Sequence, residues 1–309
     1  MIMQYVKRTF KWKDLGGLVK DTYKDWSDDD CFRKAASLAY YSVFSLPGLL
    51  MIIITIAGVF LGQQAIEGQL SQQISGIMGE SAARQVETII KNSQVQSSSI
   101  ISTVIGVAIL VFGATAVLVE LKKSLNEIWE IKTNPNAGIL QTIIDRVSGL
   151  ILVLFIGALL LATFVITAAI SVLSEWITNN LGGAFVYLFH VANFLVSLGV
   201  MTVLFALMYK FFPDVRIGWK SVWVGALITS ILFAIGKFGL GIYFGMSNPG
   251  SAYGAAGSMI LILLFAYYSA LILFFGAEFT QVYANKYGQR IEPSKSGVWI
   301  DESRNTERG

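Results

Sequence analysis

Six stretches of the chain are apolar for about twenty residues or more and nearly free of charge: 36–61, 100–119, 149–173, 184–208, 222–243 and 257–279. A helix of about 20 residues crosses a bilayer core. Backbone groups in lipid must be satisfied within the segment, so helices are the natural spanning element. None of the six runs alternates in polarity, as strands of a membrane barrel would. The pattern predicts an all-α, polytopic membrane bundle of six transmembrane helices.

The polar stretches add detail. Residues 1–34 set Phe10, Trp12, Leu15, Leu18, Val19, Tyr23 and Trp26 among lysines. They read as an amphipathic helix lying at the headgroup level or packed on the inner face of the bundle. "SDDD" at 27–30 offers a cap and an acidic first turn to the first spanning helix. In the outer loop, 62–99, Ile66, Leu70, Ile74, Ile77 and Met78 recur at helical spacing, and so do Ala82, Val86, Ile89 and Ile90. Two short amphipathic helices are expected there. The domains then run as an interfacial segment 1–34, a six-helix domain 35–285 and a polar tail 286–309, expected to be disordered after about residue 288.

Basic residues give the orientation. Twenty lysines and arginines fall on the side shared by both termini and two, Arg84 and Lys91, on the other. The positive-inside rule places both termini in the cytoplasm. No signal peptide is expected, since residues 1–34 are polar, basic and aromatic with no apolar core. One cysteine, Cys31, and one histidine, His190, leave no intrachain disulfide and no Cys/His metal cluster. No metal, cofactor or nucleic-acid partner is expected.

Charges inside spanning helices are functional candidates. Lys237 lies about 22 Å into the fifth helix, in its outer half. Snorkelling to the outer headgroups competes there with a cationic site for an anionic ligand. Glu278 lies about 32 Å from Gly257, at the cytoplasmic boundary. A salt bridge to Arg33, Lys34, Lys210 or Lys220 would explain it. Pro47 and Gly48 in "SLPGL" form a candidate hinge in the first helix. Gly241 and Gly245, and the "SAYGAAGS" stretch, favour close helix packing.

Four blocks carry a resemblance: "RKAASLAYYSVFSLPGLL" (33–50), "LKKSLNEIWEI" (121–131), "FFPDVRIGWKSVWVGALITS" (211–230) and "YGAAGSMILILLFAYYSALILFFGAEFTQVYA" (253–284). In this order they resemble the YihY/virulence factor BrkB family, formerly labelled ribonuclease BN-like. The resemblance implies a six-helix bacterial inner-membrane protein, described as a transporter or linked to lipid and envelope processes. Its motif positions fall on Tyr40, Tyr41, Ser45, Pro47, Asn126, Trp129, Pro213, Trp219, Gly225, Lys237, Tyr253, Gly254, Gly257, Gly276 and Glu278. "SLPG" and "LLFAYY" depart slightly from the family pattern.

The favoured expectation is a transporter or flippase-like permease, not an enzyme, for a lipid or other anionic amphiphile. Membrane lipids are expected partners, and a second copy of the chain is another candidate. Lys237, Glu278, Tyr40, Tyr41 and Tyr253 are the ligand-binding candidates, with Pro47 and Gly48 as hinge and no catalytic residue. No P-loop occurs, so active transport would be secondary or driven by a partner. The alternatives are a non-transporting envelope scaffold or a membrane-bound enzyme such as the ribonuclease of the old label. A nuclease usually needs clustered metal-binding carboxylates or histidines, and the cytoplasmic acids here are scattered apart from Asp28, Asp29 and Asp30.

Overall fold

A computed structural model describes residues 12–61, 115–134, 183–247, 257–294 and 296–300, with 68, 71, 84, 87, 88 and 147 as isolated helical positions. Most of the loop 62–99, most of the second apolar run, all of the third, Tyr253 and the side chains of Pro47 and His190 lie outside the described residues.

A single 3₁₀ turn, Trp12–Asp14, leads into helix α1, Leu15–Asp28. Leu18, Thr22 and Trp26 recur every fourth residue and are buried, while Lys13, Lys20 and Lys24 stay exposed. That spacing gives α1 one apolar stripe. The helix ends at Asp29 and Asp30. Asp30 has φ 53°, a left-handed conformation that aspartate tolerates better than most residues. Its carbonyl accepts the Arg33 and Lys34 N–H groups and so opens α2, Cys31–Leu61. The expected cap is therefore Asp30 alone, with Ser27 and Asp28 completing α1. Helix α2 is continuous through Pro47 and Gly48.

Residues 115–128 form α3, followed by Glu130 at φ 57° and strand β1, Ile131–Thr133. Three longer helices follow: α4, Gly183–Phe211; α5, Trp219–Ser247; and α6, Gly257–Tyr287. Among the described residues these three are long and apolar enough to cross a membrane, over Val191–Phe211, Trp219–Phe244 and Met259–Tyr287. Helix α6 packs on α1, α2 and α5, and α4 packs on α5.

Periodicity explains the packing. On α5, Val222, Gly225, Ala226, Thr229 and Ser230 are buried at helical spacing. Trp223, Leu227, Ile231, Ile235, Phe238, Ile242 and Met246 form an exposed stripe along the other side. An exposed apolar stripe on a spanning helix is a lipid-facing surface. With lipid outside, close packing holds such helices together better than water exclusion does.

Two reciprocal contacts show that packing. Thr229 Oγ1 donates to the Gly225 carbonyl at 2.8 Å, and Thr280 Oγ1 to the Gly276 carbonyl at 2.7 Å. Each threonine hydroxyl also fills the space a Cβ would need on the facing glycine, Thr280 at Gly225 and Thr229 at Gly276. Helices α5 and α6 interlock through this pair of small residues.

The buried core gathers at the basic end, where α2 begins and α4 and α6 finish. It includes Cys31, Ala35, Leu125, Ile128, Trp129, Phe205, Tyr209, Phe274 and Ala277. Trp129 Nε1 donates to the Ala277 carbonyl at 3.1 Å, tying α3 to α6. Tyr209 OH donates to the Leu273 carbonyl at 2.8 Å, tying α4 to α6.

The tail is ordered over residues 291–294 and 296–300, against expectation. Strand β2, Val215–Arg216, pairs antiparallel with β3, Glu292–Pro293; β1 pairs with β4, Gly297–Trp299. The register sets Ile131 opposite Trp299 and Arg216 opposite Glu292. The all-α expectation thus gains four short strands among the described residues. Partners elsewhere in the chain order this polar tail, and Ile291 and Gly297 are buried beneath it.

Candidate functional site

Glu278 is the most unusual side chain at this end. It sits on α6, one residue after Ala277, and is 0% exposed. Cys31 Sγ, at the start of α2, approaches its Oε1 at 3.9 Å as a weak thiol donor. Gln281, one turn further along α6, donates to Oε2 at 3.1 Å and to the Ile128 carbonyl at 3.0 Å, with its amide oriented to suit both neighbours. The Asp29 side chain is within hydrogen-bonding reach.

The expected ion pair is not what holds Glu278. Lys34 Nζ donates to the Asp29 carbonyl and lies 3.8 Å from Glu127. Lys210 donates to the Ile217 carbonyl at 2.6 Å and rests 5.4 Å over the Trp219 ring. Arg33 pairs with Asp30 at 3.7 Å. These three cations are each held by a nearer acceptor, and Glu278 meets a thiol and an amide, with Asp29 close by.

Neighbouring groups extend this polar seam between α2, α3 and α6. Ser37 Oγ donates to Glu120 at 2.6 Å, and Ser45 Oγ accepts the Val117 N–H at 3.3 Å. Burial pushes the Cys31 thiol well above its ordinary range, and the nearby Glu278 adds to the effect. Asp25 is also raised, first by desolvation and then by the charges of Asp21 and Asp29. Among the described residues no group of three His, Cys, Asp or Glu side chains could hold a metal ion.

A second cluster surrounds Asp214, in the turn between α4 and α5. Its Oδ1 is 3.0 Å from Lys122 Nζ and accepts Ser296 Oγ at 2.8 Å. Its Oδ2 accepts Asn126 Nδ2 at 3.0 Å and Thr133 Oγ1 at 3.1 Å. Asn126 Oδ1 accepts the Asp214 N–H at 2.7 Å. Burial alone would raise this carboxyl. Ser296, the Lys122 charge and Asn126 outweigh it and hold Asp214 below its ordinary value. The cluster joins α3, β1, the α4–α5 turn and the tail, and it works as a clasp.

The other candidates are placed as follows. Lys237 is exposed, between Ile235 at 65% and Phe238 at 74% exposure. Tyr40 and Tyr41 are exposed on α2; Tyr40 packs on Tyr41 at 5.7 Å and on Phe44 at 4.7 Å between ring centroids. None of the three reaches the Glu278 cluster. Gly48 is buried within α2. Sequence reasoning assigns Asp29 only a capping role, does not single out Gln281 or Asp214, and gives Cys31 no role beside Glu278. One signal was available: Glu278 and Gln281 are three residues apart on α6 and share a face.

Comparison with known proteins agrees with this architecture. The family model for virulence factor BrkB matches residues 22–298. A UPF0761 membrane protein of Alteromonas mediterranea is 26% identical over 278 residues, covering 87% of each chain. A UPF0761 membrane protein of Saccharophagus degradans is 24% identical over 273 residues, covering 88% of this chain and 60% of its own. One of Pseudomonas aeruginosa is 28% identical over 253 residues, covering 81% of this chain and 58% of its own. The chain thus spans about three fifths of the length of these last two relatives. No solved structure matches. The helices, their lipid-facing stripes and this match lead to one conclusion: the chain is a membrane protein and belongs to the virulence factor BrkB family.

Proposed function

We propose that this protein is a permease, flippase-like in action, for a lipid or another anionic amphiphile in the bacterial inner membrane, with both termini in the cytoplasm. The observation that carries this reading is the fully buried Glu278, held by Cys31 and Gln281 with no cation bonded to it among the described residues. A buried ionisable group in a spanning helix is costly and serves function by default. The Glu278 carboxyl is the switch in this reading. A charge there, enclosed between α2 and α6 with no cation bonded to it among the described residues, favours separation of the two helices. Lys237, in the outer half of α5, is the proposed first contact for an anionic headgroup.

Flux of fluorescent anionic lipid in proteoliposomes tests the reading, with and without a pH gradient. Glu278→Gln keeps the shape and removes the titratable proton. Loss of flux in this variant with unchanged thermal unfolding supports the switch. Flux equal to the unsubstituted protein refutes it.

A non-transporting envelope scaffold is the second reading. The clasp around Asp214 favours it, because one carboxylate fastens α3, β1 and the tail together. Absence of flux for every lipid and anion tried would turn the assignment to the scaffold.

A further inference from the structure

A cleft of about 500 Å³ opens at the end of α6, lined by Arg216, Lys286, Gln289, Arg290 and Glu292 among others. Three cations face one acid there. We propose that this cleft binds the phosphate headgroup of an anionic phospholipid from the cytoplasmic leaflet.

The cations are placed by the fold. Arg216 is fixed on β2, opposite Glu292 on β3. The Arg290 guanidinium lies 6.0 Å over the Trp299 ring, a cation–π contact that limits its freedom. Lys286 ends α6 and is shared with Asp21 of α1. Two guanidinium forks and an ammonium around one opening suit a phosphate, which arginine grips through paired N–H donors. The charge on Glu292 keeps the site from holding every passing anion.

Depth identifies the source of the phosphate. Exposed Phe211, Trp219 and Trp223 lie where α4 ends and α5 begins, with ring centroids 6.1 and 6.4 Å apart in succession. Aromatic side chains collect at the headgroup level of a membrane. Lys210 joins this belt to the cleft, since it lies over Trp219 and bonds the carbonyl of Ile217 in the cleft wall. The cleft therefore opens at the depth where lipid phosphates lie, and basic residues near an anionic leaflet attract its lipids. This assignment stands apart from the permease reading, because a scaffold would use the site equally.

The test titrates the full chain in mixed micelles with short-chain phosphatidylglycerol, phosphatidylcholine or glycerol 3-phosphate, reading thermal unfolding. Phosphatidylglycerol should stabilise the protein at concentrations where the other two do not. Arg216→Gln with Arg290→Gln should raise its half-saturating concentration about thirtyfold, at about 1 kcal/mol per cation. Lys20→Gln with Lys24→Gln removes the same charge from α1 and should leave that concentration unchanged. Glu292→Gln should tighten binding several-fold, a gain that misfolding could not produce. Equal stabilisation by phosphatidylcholine, an equal loss in the α1 variant, or no gain from Glu292→Gln overturns the site. Equal stabilisation by glycerol 3-phosphate overturns the lipid as its source.

Discussion

The Lys122 ammonium lies 3.0 Å from the Asp214 carboxylate, and this contact fastens α3 to the turn between α4 and α5. Removing one partner of a buried pair costs more than the pair contributes, because the other charge is left stranded. Asp214→Ala should destabilise the protein by about 3 kcal/mol. Lys122→Ala should do less harm, since Ser296, Asn126 and Thr133 still donate to the carboxylate. Denaturant unfolding in mild detergent reads both effects.

The same carboxylate sets a pH dependence. Its folded value lies below the ordinary aspartate value of 3.8. A depressed acid contributes stability above its unfolded value and loses it as pH falls through the folded one. The Asp214 contribution should therefore be complete at pH 5 and vanish in the acid range below about 4. Asp214→Asn should flatten the unfolding midpoint across that window. A variant curve parallel to that of the unsubstituted protein would refute the assignment.

The interlock of α5 and α6 makes a prediction of another kind. A methyl at Gly225 meets the Thr280 hydroxyl and also its Cβ at 2.9 Å. Gly225→Ala should cost about 1–3 kcal/mol, in line with overpacking elsewhere. Adding Thr280→Ala should recover part of this, because the hydroxyl goes but the Cβ stays. A double-mutant cycle should show favourable coupling. By contrast Gly241, which has open space at its Cβ, should accept alanine freely.

Cys31 should be a slow thiol. It is 0% exposed, and burial holds its proton in place. The thiolate is the reactive form. Alkylation by a maleimide at pH 7.5 should lag far behind that of an exposed cysteine introduced at Ser27. It should accelerate only on denaturation. Fast labelling of the native protein would contradict the packing of α2 on α6.

Docking of α1 should depend on Leu18 far more than on its surface charge. Leu18 is 1% exposed and packs on Phe279, Val282 and Tyr283. Leu18→Ala should cost about 2–4 kcal/mol and release α1 amides to hydrogen exchange. The Lys286–Asp21 pair is partly exposed, so Lys286→Ala should cost under about 1 kcal/mol.

Much of this was written in hydrophobic periodicity. The runs at 184–208, 222–243 and 257–279 each fall inside an observed helix, since twenty apolar residues admit few other structures in lipid. Leu18, Thr22 and Trp26 likewise display the buried face of α1. The strands were illegible because two or three residues carry no alternation. Their partners lie 76 residues away for Arg216 with Glu292 and 168 for Ile131 with Trp299. The surroundings of Glu278 were hidden for a related reason. Depth counting located its level but could not show that Lys34 turns to Asp29 and Glu127.

The packing of α1 against α6 sets an order of events during synthesis. Leu18 has its apolar bed on Phe279 and Val282, and Trp26 lies 6.0 Å from the Phe275 ring. Neither surface exists until the ribosome has made the last long helix. The first helix leaves the ribosome early and waits, with its apolar stripe uncovered, for most of translation. A chain that stalls before α6 carries that stripe unburied, a mark by which quality-control proteases can tell an unfinished chain from a finished one.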